Sequence, residues 1–220
     1  MPKAVTTRGT ALERALVGDA PSARRTPLDA LDAARRHWLA GDRIDMQALA
    51  EELGVSRATL YLWVGSREKL IGEVLWSFAD AGLRQARDGA RGSGAAYVLD
   101  VFRRFINANA AFAPLRRFIE QDPELALRVL TSKSSPVQAR MVDATRALLA
   151  EQADAGRLLP ALPLDTLAYT IIRVAESFLY SDLIAGSEPD VARAVQVVEV
   201  LLTAAPPKRG AARRKAAQRR

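Results

Sequence analysis

The stretch Asp45–Leu70, DMQALAEELGVSRATLYLWVGSREKL, constrains the chain most, because its punctuation leaves room for little except two short helices around a tight turn. Leu49, Ala50 and Leu53 recur at helical spacing between Met46 and Leu53. Gly54 follows, a residue that reaches the left-handed backbone where a helix stops. Val55 is expected to point inward, and Ser56 to cap the next helix by accepting from its first free N–H groups. That second helix, Arg57–Val64, puts Leu60 and Val64 on one face and leaves Arg57, Thr59, Tyr61 and Trp63 for other directions. A short helix with a polar and aromatic outer face, held behind such a turn, has the size of an element that enters a DNA major groove.

The remaining punctuation predicts more helices. Thr26-Pro27-Leu28-Asp29 is a capping box with proline at the first helical position. It opens a helix with Leu28, Leu31, Trp38 and Leu39 inward that stops at Gly41. Asp45 caps the next helix, and Ser66 caps a longer one that carries Leu70, Val74, Leu75 and Phe78 on one side and ends near Gly89–Gly94. Beyond that glycine-rich run, helices are expected over Tyr97–Ala111, Pro114–Glu120, Pro123–Leu130 behind Asp122, Pro136–Ala155 behind Ser135, and Leu164–Ala185. Ser187–Asp190 opens the last, in which Val191, Ala194, Val195, Val198, Leu201 and Leu202 share a face. No segment alternates as a strand between hairpin turns, so the predicted fold class is all-α, in two parts. Met1–Arg25 has weak periodicity, with a short helix at Ala11–Leu16, and reads either as a solvated leader or as a basic arm that touches DNA.

Composition narrows the chemistry. The net charge of +7 is concentrated at the ends: Pro206–Arg220 holds seven basic residues and no acid, and residues 1–26 carry a net +3. Residues 27–72 sum to −1 and residues 73–205 to −2. Binding of DNA by the helix-turn-helix must therefore use a few placed cations and helix N-termini rather than a broad positive field. The tail reads as a disordered basic segment that adds nonspecific attraction. With no cysteine and a single histidine, His37, thiolate zinc sites and Cys-His catalysis are excluded. The run Gly89–Gly94 lacks the spacing of a phosphate-binding loop. The longest uncharged stretch, Phe105–Leu115, is too short to span a bilayer, and a cytoplasmic setting without cofactor or metal is expected.

The segment LAEELGVSRATLYLWVGSREKL resembles the DNA-binding segment of the tetracycline-repressor (TetR) family of bacterial regulators. Leu49-Ala50, Gly54-Val55-Ser56, Thr59-Leu60-Tyr61, Ser66-Arg67-Glu68 and Leu70 fall in register with that family's pattern, and the match covers about residues 28–82. Asp45 stands where a threonine cap is usual, Trp63 where histidine or tyrosine is common, and Arg67 where lysine is usual. The resemblance implies an N-terminal three-helix helix-turn-helix domain and a C-terminal helical ligand-binding and dimerisation domain. The expected division is a flexible basic arm at 1–26, the DNA-binding domain at 27–72, the effector and dimer domain at 73–204 and the tail at 205–220. It implies a homodimeric repressor, not an enzyme, that reads a double-stranded pseudopalindromic operator and is released by a small-molecule effector. An effector-independent or architectural DNA-binding protein is the alternative reading, and a helical enzyme a distant third.

Roles on the recognition helix follow from chemistry and from that resemblance. Arg57 sits where side chains reach base edges and suits a bidentate contact to guanine, or else a phosphate. Thr59 and Tyr61 match positions that hold backbone phosphate, Arg67 matches a phosphate-clamping lysine, and Gln47 matches a position that contacts bases in some members. Ser56 caps, Ala58 keeps the helix slim for close approach, and Trp63 has one donor with which to position the helix or else packs inward. The helix from Leu164 carries a polar line, Tyr169, Arg173, Glu176 and Tyr180, that either holds a polar ligand head or lies on the surface. Asn107, Asn109, Phe112 and Arg140 are further effector candidates. The segments Leu115–Met141 and RVAESFLYSDLIAG are similar to a QsdR-like subgroup that regulates quorum-signal lactone degradation, which implies a lactone-like or acyl-chain effector. The last two helices are expected to form a four-helix interface with a second copy.

Overall fold

The computed structural model describes residues 10–17, 25–132, 135–181 and 189–205. The chain folds as an all-α protein. Its helices are α1 (Ala11–Leu16), α2 (Pro27–Ala40), α3 (Met46–Leu53), α4 (Arg57–Val64), α5 (Arg67–Gly89), α6 (Gly94–Ala111), α7 (Ala113–Gln121), α8 (Pro123–Thr131), α9 (Pro136–Asp154), α10 (Leu164–Leu179) and α11 (Val191–Thr203). The described residues form two compact units, one within 1–81 and 112–140 and one within 82–111 and 141–205. The division does not follow the linear one expected at residue 72. It falls inside α5, and α7 and α8 pack with the helix-turn-helix rather than with the C-terminal helices. The basic tail from residue 206 lies outside the described residues.

In the first unit, α2 begins at the capping box the sequence predicts. The Thr26 hydroxyl accepts from the Asp29 N–H at 3.4 Å, and the Asp29 carboxylate accepts from the Thr26 N–H at 2.7 Å. The Thr26 hydroxyl, which also donates to this carboxylate, and then the Thr26 N–H hold the Asp29 carboxyl below its usual range. Ala30, Ala33 and Ala34 are fully buried on α2, small enough for neighbouring helices to come close. The leader is not wholly an arm. Thr10 makes a full capping box with Glu13, Leu12 and Ala15 of α1 are buried, and α1 packs on α2 and α4. Two apolar side chains on the short helix suffice to dock it, a signal that its weak periodicity concealed.

α7 buries Leu115, Phe118 and Ile119 and makes long-range hydrogen bonds to the α2–α3 loop. Arg117 donates to the Leu39 carbonyl at 3.1 Å, and Arg43 to the Gln121 carbonyl at 3.1 Å. An aromatic group lies beside them: Trp38 stacks on Phe78 with ring centres 5.3 Å apart, and Phe112 and Phe118 approach Trp38 at 5.8 and 6.3 Å.

The second unit has its own apolar core, built on Val98, Val101 and Ile106 of α6, Leu148 and Leu149 of α9, Leu167 and Ile171 of α10, and Ala194, Val198 and Leu202 of α11. α10 stops at Leu179 rather than near Ala185, because the Tyr180 backbone leaves the helical region. The glycine-rich run is a turn inside this unit. Buried Asp100 accepts from the Arg91 N–H and from Arg104, both at 3.0 Å, and from Arg103. Arg104 first, then the Arg91 N–H, pulls the Asp100 carboxyl down to about 2. The Gly94 N–H donates to the Gln152 side chain at 3.0 Å.

Gly94 has φ +59°, and a Cβ there would lie 2.0 Å from the Arg157 carbonyl oxygen. Gly54 has φ +65° and nothing within 4 Å of its Cβ position. Gly54→Ala therefore meets only left-handed strain, about 1–2 kcal/mol, whereas Gly94→Ala adds a backbone collision costing about 1–3 kcal/mol more. Urea unfolding is expected to rank the two in that order, and equal midpoints would contradict the close approach at Gly94.

Candidate nucleic-acid interface

The helix-turn-helix is assembled by caps at three ends. Asp45 accepts from the Gln47 and Ala48 N–H groups at 2.7 and 2.9 Å, so its carboxylate is held low by those two donors and is occupied by its own helix. Gly54 closes α3 in the left-handed region. Ser56 accepts from the Thr59 N–H at 3.0 Å, and the Ser56 and Thr59 hydroxyls share a 2.8 Å hydrogen bond. α4 then packs on α1, α2 and α3, with Leu60 and Val64 at 0 and 1 % exposure.

The outer face of α4 carries Arg57, Ala58, Tyr61 and Leu62, all exposed. Ser56 is exposed, and Thr59 and Trp63 are half-buried. Arg57 makes no hydrogen bond or ion pair with another described residue, which leaves its guanidinium open to solvent. Gln47 is exposed on α3 but donates to Glu51 at 3.1 Å. Arg67 is tied into the fold: its Nε donates to the Ile44 carbonyl at 2.8 Å. Leu62, 76 % exposed, is absent from the residues that the sequence singles out. The signal was available, since an apolar residue two positions from both Leu60 and Val64 must point away from the core.

Three glutamates of this unit are paired with basic residues on other helices. Glu52 accepts from Arg36 at 2.8 Å and contacts the His37 ring at 2.6 Å, tying α3 to α2. Glu68 pairs with Arg128 at 2.8 Å. Buried Glu73 receives both terminal nitrogens of Arg140, at 2.7 and 2.9 Å, and that guanidinium lies 5.7 Å from the Trp76 ring centre.

The eight effector candidates divide between the two units. Phe112, within the aromatic group, and Arg140, neutralising Glu73, belong to the first unit. In the second unit, Asn107 and Asn109 donate back to the Arg103 and Phe105 carbonyls of their own helix. The polar line on α10 divides. Tyr169 and Arg173 are exposed, while Glu176 and Tyr180 are buried at 9 and 7 % exposure. Arg173 bonds Glu176 at 2.6 Å, and burial, with the Glu176 charge second, pushes the Tyr180 hydroxyl up.

His37 gives this interface a pH dependence. The hydrogen bond to Glu52 raises its pKa above the ordinary 6.5 and lowers that of Glu52 below 4.5. The His37 contribution to stability is complete below pH 6.5 and is lost as pH rises through the raised value; the Glu52 contribution is complete above pH 4.5 and is lost as pH falls through the lowered one. His37→Gln is thus expected to cost most melting temperature near pH 5.5 and least near pH 8. An equal cost at both values would remove the ion pair from the account.

Comparison with known proteins agrees with this geometry. A family model described as the tetracyclin repressor-like C-terminal domain matches residues 93–203. Among solved structures, the R. erythropolis transcriptional repressor QsdR from the TetR family is 31 % identical with a TM-score of 0.76, over 82 % of this chain and 96 % of that one. The TetR-family repressor AlkX from Dietzia sp. strain DQ12-45-1b, implicated in biodegradation of n-alkanes, is 22 % identical with a TM-score of 0.55, over 83 % and 96 %. The transcriptional regulator FadR from Bacillus subtilis, solved with stearoyl-CoA, is 14 % identical with a TM-score of 0.51, over 80 % and 97 %. The last two share the fold. A comparison with curated protein sequences gave no match.

Proposed function

The chain belongs to the TetR family, whose members are DNA-binding regulators of transcription and not enzymes, and from that premise we propose that it is a homodimeric repressor released from a pseudopalindromic operator by a small molecule. The observation that carries the reading is α4 itself, seated by Leu60 and Val64, with Arg57 exposed at its N-terminal end and unpaired among the described residues. In this reading Arg57 reads guanine. Thr59 and Tyr61 meet phosphate or sugar, Ser56 and Trp63 fix the approach, and Ala58 permits it. Arg67 supports the loop before α3 and offers its remaining nitrogens to phosphate. Gln47 supplements these contacts from α3.

Two copies would place the recognition helices about one helical turn apart, roughly 34 Å. α10 and α11 supply the partner surface. α11 uses Ala194, Val198 and Leu202 within its own unit, yet Val197 and Val200 form a second apolar line at 36 and 68 % exposure, and Tyr169 of α10 is 53 % exposed. Val200→Glu is expected to convert a dimer to a monomer in sedimentation and to weaken operator binding, with helicity unchanged. A monomeric wild-type chain would sink the arrangement.

The effector is assigned to the second unit, with Glu176 and Tyr180 as the buried polar groups that meet its head. Its class, lactone-like or acyl-chain, rests on the resemblance of Leu115–Met141 and RVAESFLYSDLIAG to the QsdR-like subgroup. A coupling of about 1–3 kcal/mol gives a 5–150-fold loss of operator affinity. The decisive experiment selects genomic DNA fragments with the purified protein and titrates the bound duplex with acyl lactones and their acids. Release from one sequence family supports the reading; binding indifferent to those compounds and to metabolite extracts favours an effector-independent regulator. On the same duplex, Arg57→Ala is expected to lose about 1–3 kcal/mol per half-site and to relax preference at one base pair. An unchanged preference at every base would reassign Arg57.

A further inference from the structure

α4 carries an apolar strip where a DNA-reading helix needs chemistry on its outer face. Leu62 is 76 % exposed and lies two residues from each of the core residues Leu60 and Val64, on the opposite side of the helix. Ala58, four residues earlier, is exposed directly alongside it. Arg57 and Tyr61 form the adjacent polar strip at the same spacing. A lone exposed leucine needs no explanation on most surfaces. Here the leucine occupies the face that remains after α1, α2 and α3 have covered the others, and it contributes nothing to the buried core of its own unit.

Neither Ala58 nor Leu62 can hydrogen-bond a base. The one apolar group on a major-groove base edge is the C5 methyl of thymine, which side chains of this kind contact. We propose that Leu62, with Ala58 beside it, reads thymine C5-methyl groups in each operator half-site and is a specificity-determining residue next to Arg57. The inference rests on the assignment of α4 as the DNA-reading helix. It predicts a half-site with thymine next to the base pair that Arg57 reads.

Deoxyuridine tests this directly, because it removes the methyl and preserves the base pair. The probe is the duplex selected by the full chain, with half-site thymines replaced one at a time, and the readout is affinity at fixed salt. Wild type is expected to lose about fourfold when one half-site lacks the critical methyl and about fifteenfold when both do. Leu62→Ala is expected to bind the thymine duplex more weakly and to show a thymine-to-uracil ratio near one at that position, with unchanged ratios elsewhere. Leu62 lies on the surface, so the variant keeps the wild-type melting temperature. A wild type indifferent to every replacement, a half-site without thymine, or a Leu62→Ala variant that retains the full ratio would overturn the inference while leaving the DNA-reading role intact. A variant that alters sedimentation and not the ratio would make Leu62 a protein contact, which overturns it too. Failure to select any duplex would instead remove the premise.

Discussion

The burial of Leu60 and Val64 is the interaction on which the recognition surface depends. α4 has eight residues, too few to hold a helix in water by its own hydrogen bonds. Its stability comes from the inward face, and the outward face is ordered as a by-product. Two almost wholly buried side chains fix the rotation of the helix, Ser56 fixes its start, and Gly65 ends it. Once the rotation is set, Arg57, Ala58, Tyr61 and Leu62 have one direction left to point.

The charges around this helix resolve an apparent conflict. Residues 27–72 are slightly acidic, an unfavourable balance for a surface that meets phosphate. Yet Asp45 is engaged by two N–H groups of α3, Glu51 by Gln47, Glu52 by Arg36 and His37, and Glu68 by Arg128. These pairs are exposed and add little stability each. Asp45 and Glu51 keep their charge, and Asp45 feels that of Arg57, but none of these acids bonds the Arg57 guanidinium, which stands at the start of α4 without an ion-pair partner among the described residues. Arg67 shows the opposite outcome. Its position suggests a phosphate clamp, but one of its nitrogens is spent on the Ile44 carbonyl, and part of its worth is to the loop itself.

Local signals make much of this legible in the sequence. The limits of α3 and α4 agree with the cap and glycine positions to the residue, because caps and turns are decided within a few residues. Partner choice over long distances was not legible. Arg140 finds Glu73 on another helix, and Arg117 and Arg43 tie α7 to the α2–α3 loop, contacts that no periodicity encodes. The same limit applies to the partners of the effector candidates. Asn107 and Asn109 look free in a sequence, but each has a carbonyl four residues back within reach. From Leu164 onward, spacing puts Tyr169, Arg173, Glu176 and Tyr180 in one line, whereas the fold buries the last two and leaves the first two exposed.

In α4, folding and reading use different faces of one short helix, and Leu62 is the residue that exposes the difference. A leucine out of phase with the core is a flaw by the rules of amphipathic design, since it exposes apolar area for no gain in the folded monomer. Such violations survive where function repays them, and DNA supplies repayment of one particular kind, a methyl group at a fixed depth in the major groove. Because Leu60, Val64 and the caps hold the pose, substitutions at the outward positions alter which bases are preferred while leaving the stability of the unit nearly untouched. The separation lets one framework serve many operators, with the inward positions of α4 fixed by packing and the outward ones free to change with the sequence they read.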